Sequence, residues 1–349
     1  MQMTKDYIGK IKDKFNFEQI AGCLEKPSNL KVLAIGDAII DYYVFVTPKG
    51  RAVKDPILSV EHRKDELYVG GILAIANHLN DFVKKIKLVT LVGDKNDKLD
   101  FIKQSLKGNV ELKTFAKKNS PTTIKKRFVD IYRNNKLFKI EYLNDEPIVE
   151  DLRDEIIAYL DEEIPKYDLV VVGDFGHGFI DGPIRKKLEE KSKFLALNAQ
   201  SNSSNLGYNY FNLYKRMDFI SMNEHELRLP LLRRFEKLDE VIKETYAKFK
   251  PDNILLTRGK EGSIFVNQGN NFEAPALITN VKDTVGAGDA VFAIASLLVN
   301  SKIDNELIPF ISNCVGGIAV NFIGNKEFVT KDKLLNFVKA LYKNGLEKL

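Results

Sequence analysis

Apolar residues recur along this chain at two different periods. Over residues 1–28, Tyr7, Ile8, Ile11, Phe15, Phe17 and Ile20 return every three to four positions among charged neighbours, which predicts a helix with one apolar stripe, stopped by Pro27. From residue 30 the pattern becomes short β-branched runs, LKVLAIGD, IKLVTLVGD, YDLVVVGDFG, FLALNAQ, MDFISMNE, NILLTRG and GSIFVNQG, with helical stretches such as GILAIANHLNDF among them. A strand that is apolar at every position is buried on both faces. Such strands interleaved with helices of about 10–15 residues predict an α/β protein of three layers, α/β/α, with a mainly parallel central sheet.

Two segments break that rhythm. Residues 42–69 and 120–146 alternate polar and apolar positions, carry turn signals such as the Asn134 pair NN, and contain no crossover helix, so they read as antiparallel hairpins outside the main sheet. Inserted hairpins of this kind project over the carboxyl ends of strands, where open α/β folds bind ligands. They are either a small β lid or plain surface hairpins. With no internal repeat and no low-complexity linker, the chain divides into an N-terminal helical extension over 1–29, an appended arm, and one domain over 30–349 with the lid segments inserted.

Charge and cysteine usage narrow the function classes. The 53 basic and 48 acidic residues are interspersed and leave a formal net charge of only +5, which argues against a nucleic-acid partner and suits a small anionic substrate. Cys23 and Cys314 are far apart, and neither has a Cys or His at metal-ligand spacing. There is no leader-like apolar core and no run of about 18 apolar residues, so a cytoplasmic protein with no membrane partner is expected.

The candidate chemistry lies in four places. VKDTVGAGDAVFAIASLL (residues 281–298) sets Gly286, Ala287 and Gly288 before Asp289 and an apolar helix; such a turn aims unpaired N–H groups outward at the positive end of a helix dipole, a place for phosphate. Asp289 is then either the cap of that helix or a general base beside the anion hole. In MNEHE, Asn223 and Glu226 stand at a strand end, where they either cap the next helix or orient Mg²⁺ and phosphate. Asp37 and Asp41 follow a buried strand and suit sugar hydroxyls or capping equally, with Gly70, Gly71 and Asn77 nearby in VGGILAIAN. The histidines show no metal or catalytic spacing, and His177 in GDFGHGF is the one with a candidate role; no P-loop, GxGxxG or nucleophile elbow occurs.

Taken together these residues resemble the ribokinase-like carbohydrate kinases, the PfkB family. DTVGAGDAVFA (residues 283–293) is similar to that family's signature, and NEHE, VGG (69–71) and TRGKEG (257–262) stand in family order, so the likeness runs from residue 30 to the C-terminal helix. It implies Asp289 as base, the Gly286, Ala287 and Gly288 amides as anion hole, and Asn223 with Glu226 organising Mg²⁺ through water. It further implies a nucleotide, ATP, along Asn223, Thr257, Arg258, Gly259, Gly262, Gly316 and Asn321, and a monovalent cation, K⁺, at Asp283. Within the family the chain looks most like heptose-7-phosphate kinases. Sugar and sugar-phosphate contacts then fall to Asp37, Asp41, Gly70, Gly71, Asn77, Lys125, Arg127, Asn134, Asp174, His177 and Asn198, and a homodimer through the β lid is implied as well.

The chain departs from that pattern at three points. Ala74 stands where the family has Asn, His177 replaces a Lys, and NAQSNSSNLGYN (198–209) replaces an Asp-Pro-Lys segment. The expected reaction is transfer of the ATP γ-phosphate to a hydroxyl of a sugar phosphate. The rival readings are a kinase for a different or unphosphorylated sugar or nucleoside, and a non-catalytic sugar or nucleotide sensor on the same fold.

Overall fold

The computed structural model describes residues 2–278 and 280–345; Met1, Thr279 and residues 346–349, which the expected extension and domain also span, lie outside the described residues. In chain order the elements are α1 (Gln2–Lys14), α2 (Phe17–Glu25), β1 (Lys31–Arg51), β2 (Leu58–Gly71), α3 (Ile72–Leu79), β3 (Lys85–Lys95), α4 (Leu99–Ser105), β4 (Val110–Pro121), β5 (Thr123–Asp130), β6 (Lys136–Tyr142), α5 (Glu150–Glu163), β7 (Leu169–Asp174), α6 (Gly182–Lys191), β8 (Leu195–Ala199), β9 (Phe219–Asn223), α7 (Glu224–Arg228), α8 (Leu238–Phe249), β10 (Asn253–Thr257), β11 (Ser263–Asn267), β12 (Asn270–Ala274), α9 (Ala287–Asn300), α10 (Leu307–Ala319) and α11 (Lys331–Asn344).

The main sheet runs β12-β11-β10-β9-β8-β7-β1-β3-β4. Every pairing from β10 to β4 is parallel, and β11 and β12 close one edge antiparallel. The all-apolar strands are explained by their two faces. In β1, Val32 and Ala34 enter one core and Leu33 and Ile35 the other. The first core is covered by α3, α9, α10 and α11, the second by α5, α6 and α8. The result is the three-layer arrangement read from the pattern, and no helix among the described residues is long and apolar enough to cross a membrane.

Asp37 and Asp41 do not follow the first strand, as the apolar run implied, but lie inside it: β1 spans 21 residues and ends at Arg51. Its first part pairs with β3 as far as Asp37↔Leu91. From Ala38 it pairs antiparallel with β2, and from Ile39 parallel with β5, which pairs in turn with β6. A second sheet of order β2-β1-β5-β6 therefore grows from the same strand, and both alternating segments, 42–69 and 120–146, lie in it.

The N-terminal region differs from a single helix on an appended arm. Asn16 interrupts it: its Oδ1 accepts the Gln19 N–H at 2.8 Å while Gln19 Oε1 accepts the Asn16 N–H at 2.8 Å, a capping box that starts α2 afresh. Ile8, Ile11, Ile20 and Leu24 are buried in the first core with α10 and α11. Tyr342 Oη donates to Phe15 O at 2.6 Å, and the Lys14 ammonium lies 2.5 Å from a Glu306 carboxylate oxygen. Each buried aliphatic side chain contributes about 1.5–3 kcal/mol, so the two helices belong to the helical layer energetically. Ile20→Ala is therefore expected to lower the stability of the whole domain by about 2–5 kcal/mol, read as a shifted midpoint of one cooperative urea transition; a separate early transition with the main one unmoved is the result that an independent arm would give.

Candidate active site

The carboxyl ends of β8, β9 and β10 and the N-terminus of α9 meet in a cleft of about 200 Å³, lined among others by Asn198, Gln200, Glu226, Thr257, Gly288 and Asp289. A larger groove of about 680 Å³ lies at the opposite, amino ends of the strands around Asp168, Lys193 and Asn305; its two carboxyls, Asp168 and Asp252, are not buried. The chemistry is therefore to be sought in the smaller one.

Gly286 caps α9 at φ +81°, and a Cβ there would fall 2.0 Å from Asn325 Oδ1, so both backbone and space demand glycine. The first intrahelical bond is from Ala290 N–H to Gly286 O at 3.0 Å, which leaves the Gly288 and Asp289 N–H groups ahead of the ladder. Nothing lies within 4 Å of where a Gly288 Cβ would be. An open backbone, free amides and the helix dipole together attract an anion.

Asp289 does not cap this helix. Its Oδ1 accepts from Gln200 Nε2 at 2.8 Å, and the same Nε2 lies 2.7 Å from Asn198 Oδ1. Asn198 Nδ2 in turn donates to Ser221 O at 2.8 Å, so strands β8 and β9 brace the carboxylate of α9. Burial pushes the Asp289 pKa up to about 7; the Gln200 donation opposes the shift, Asp41 adds to it and Lys125 reduces it. Gln200 is the functional candidate that sequence reasoning missed. It sits in the polar segment after β8, where only its position just past a strand end marks it.

Asn223 and Glu226 form the capping box of α7: Asn223 Oδ1 accepts the Glu226 N–H at 2.8 Å and Glu226 Oε2 the Asn223 N–H at 2.9 Å. The capping alternative is thus present in the structure, and the same two residues still line the cleft. Burial raises Glu226 to about 7. Beyond them a second, largely apolar cleft of about 440 Å³ opens between Gly262, Leu277, Ile278, Val291, Gly316 and Val320, and it shares Asn223, Thr257 and Gly288 with the first. Gly259 lines it too, while Arg258 is held outward by Glu224 and Glu261.

Near the first cleft lies the junction of the two sheets, where Asp41 and Lys125 are close enough for their charges to act on Asp289, and where Asp37 and His177 line a separate small cavity. Asp37 Oδ2 accepts the Phe175 and His177 N–H groups at 2.9 and 3.3 Å, and burial, then the neighbouring Asp174, pushes its pKa up to about 7. Asp41 is paired with Arg127 and lies 3.4 Å from Asn325 Nδ2. Gly70 is a glycine because a Cβ would come within 2.7 Å of Asp41 Oδ2, and a Gly71 Cβ within 2.6 Å of Asp37 O. Lys125 is buried, 3.9 Å from Glu141 Oε1, and burial lowers its pKa. The His177 ring is buried with neither nitrogen hydrogen-bonded, and burial lowers its pKa to about 3.

Five of the expected residues are engaged elsewhere. Asn77 bonds Ser105 O and Lys107 N at 3.0 Å each, on the far side of α3. Asn134 occupies the β5–β6 turn at φ +55° and donates to Lys282 O, away from Lys125 and Arg127. Asn321, just past α10, donates back to Gly317 O of that helix. Asp174 is saturated by Tyr214 Oη, Asn209 Nδ2 and Gly176 N–H, which fasten the 174–178 loop to the 202–209 segment. Asp283 is buried and bonded on both oxygens: Tyr43 Oη and Gly324 N–H reach Oδ2, Val285 N–H and Lys136 reach Oδ1. Burial would raise this carboxyl, but those donors outweigh it and hold the pKa below its usual value.

Residues 29–308 match the family model for pfkB family carbohydrate kinases. The chain is 26% identical over 300 residues to the bifunctional protein HldE of Helicobacter pylori strain G27, an alignment covering 84% of this chain and 64% of that protein, so the chain spans about two-thirds or less of such relatives. Similar solved structures include phosphofructokinase-2 from Escherichia coli in complex with potassium, with TM-score 0.68 and 14% identity over 90% of this chain and 100% of that one. Arabidopsis thaliana ribokinase complexed with ribose and ATP aligns with TM-score 0.67 and 17% identity over 89% and 99%. These likenesses give the fold as ribokinase-like, and the family match, over most of the chain, gives the class: the protein belongs to the pfkB family of carbohydrate kinases.

Proposed function

We propose that the protein transfers the γ-phosphate of ATP to a hydroxyl of a sugar that already carries a phosphate, a heptose 7-phosphate being the acceptor that the sequence resemblance and the HldE relatives favour. The observation that carries this reading is the placement of Asp289. A buried carboxyl stands at the open N-terminus of α9, braced by Gln200, between an apolar cleft of nucleotide size and a lysine–arginine cluster.

Adenine and ribose occupy the cleft around Leu277, Ile278, Val291 and Gly316, with the phosphates directed past Thr257 toward Gly288. The sugar lies across the sheet junction, with hydroxyls toward Asp37 and Asp41 and its phosphate toward Lys125. Asp289 takes the proton of the attacking hydroxyl; the sugar oxygen bonds the γ-phosphorus as the bond to the β-phosphate oxygen breaks and ADP leaves. The Gly288 and Asp289 amides hold charge on the transferring group. Among the described residues no three His, Cys, Asp or Glu side chains form an ion cage, so the single buried Glu226 with Asn223 suits an ion that keeps most of its waters. Mg²⁺ bound there supplies charge neutralisation at the phosphate oxygens.

Asp289→Asn is expected to keep ATP affinity and lose turnover by about 10²–10⁴-fold, the usual contribution of a general base; near wild-type ADP release from this variant sinks the assignment. Because the base must be ionised and its pKa lies near 7, turnover should fall as pH drops below neutrality. Gln200→Leu removes the donation that holds this pKa down, so its acidic limb should move to higher pH, and an unmoved limb in a pH–rate profile argues against the brace. For the substrate, Lys125→Ala should raise KM for the sugar phosphate about tenfold or more, the worth of one charged hydrogen bond, and leave KM for ATP unchanged. An unchanged sugar KM points instead to an unphosphorylated acceptor.

A further inference from the structure

The Asp283 carboxylate lies two residues before the turn that presents the anion-binding amides, and its side chain is 1% exposed. A carboxylate offers about four acceptor positions. Here four donors take them: Tyr43 Oη at 3.1 Å and Gly324 N–H at 3.0 Å on Oδ2, Val285 N–H at 3.1 Å and the Lys136 ammonium on Oδ1. The resemblance assigns a monovalent cation to this aspartate. The residues present do not fit that ion, because the position a cation would take on Oδ1 holds the Lys136 ammonium.

Lys136 arrives there by design of the hairpin. It opens β6, immediately after a turn whose Asn134 Nδ2 donates to Lys282 O at 3.0 Å and whose Ile131 N–H donates to Val46 O at 3.0 Å. The second sheet is thus bonded to two consecutive residues, Lys282 and Asp283, at the root of the GAGD turn. Taking a buried carboxylate from water has a cost that a nearby opposite charge offsets, and a tethered ammonium supplies that charge without the loss of freedom of an ion from solution. Tyr43 is fully buried and lies where β1 pairs with β2 and β5, so the second sheet supplies both the hydroxyl and the ammonium that hold Asp283.

We propose that Lys136 is a built-in replacement for the monovalent cation, so that this kinase holds its anion-binding turn and works without K⁺. The inference concerns the same site as the kinase reading, but its first readout needs no substrate. Melting curves of the full chain are recorded in potassium, sodium and tetramethylammonium chloride at matched ionic strength, and turnover in the same salts is followed by ADP release. The wild-type protein is expected to melt at one temperature and turn over at one rate in all three. Lys136→Met, with the carboxylate uncovered, is expected to melt higher in potassium than in tetramethylammonium and to regain turnover several-fold with K⁺; Lys136→Gln is the second variant should the first not fold. A wild-type protein stabilised or activated by K⁺ overturns the proposal, and so does a folded Lys136 variant indifferent to the salt. Should no sugar phosphate be turned over while the melting pattern holds, the substrate reading fails and this one stands.

Discussion

Strand β1 belongs to two sheets at once, and the residue at which it passes from one to the other sets where the charged groups of the cleft stand. Asp37 is the last position paired with β3, and Ala38 the first paired with β2. The parallel sheet ends where ligands approach open α/β folds, and the second sheet rises from that point over the N-terminus of α9. Gly70 and Gly71 let the returning strand pass against Asp37 and Asp41 with no side chain between them. Lys125 and Arg127 follow, because β5 runs parallel to β1 in a register that puts Lys125 beside Asp41. One uninterrupted strand therefore brings an acid at the end of the main sheet, Asp37, close to an acid and two bases of the second, Asp41, Lys125 and Arg127.

The acids of the cleft divide by the donors around them. Asp37, Glu226 and Asp289 are buried with too few hydrogen bonds to offset desolvation, and all three are pushed up to about 7. Asp283 is as deeply placed, yet it sits below its usual range because an ammonium and two amides serve it. The first group keeps capacity for a proton, a hydroxyl or a water-borne ion; the last is fully committed to holding the loop. Burial alone does not separate the raised carboxyls from the lowered one; the ammonium bonded to Asp283 does.

The layers were legible in the chain because strands buried on both faces must be apolar throughout, and residues 283–293 announced an anion site because only small residues permit that turn. Asn16 with Gln19 was also legible in principle, as a capping box inside an apparently continuous helix. Other features were not. In α3 every side chain is buried, so no polar stripe tells which way Asn77 faces, and proximity in sequence to VGG misplaced it. Gln200 and Lys136 acquire their roles from partners 89 and 147 positions away, and no local period encodes such distances. Asn134 read as a phosphate ligand because it lies in a basic strand pair, whereas the turn geometry spends its side chain on the backbone of Lys282.

The packing of α1 and α2 has a consequence for how the chain comes to be folded. Their partners are α10 and α11, and the Tyr342–Phe15 bond closes a separation of 327 residues. During synthesis the first two helices emerge with their apolar stripe uncovered, and nothing that follows for most of the chain can cover it. Contacts of such sequence separation form late because loop closure must come before any gain. The helical layer that carries α9 is therefore completed only after α10 and α11 have been made, and α9 gains its full support after them.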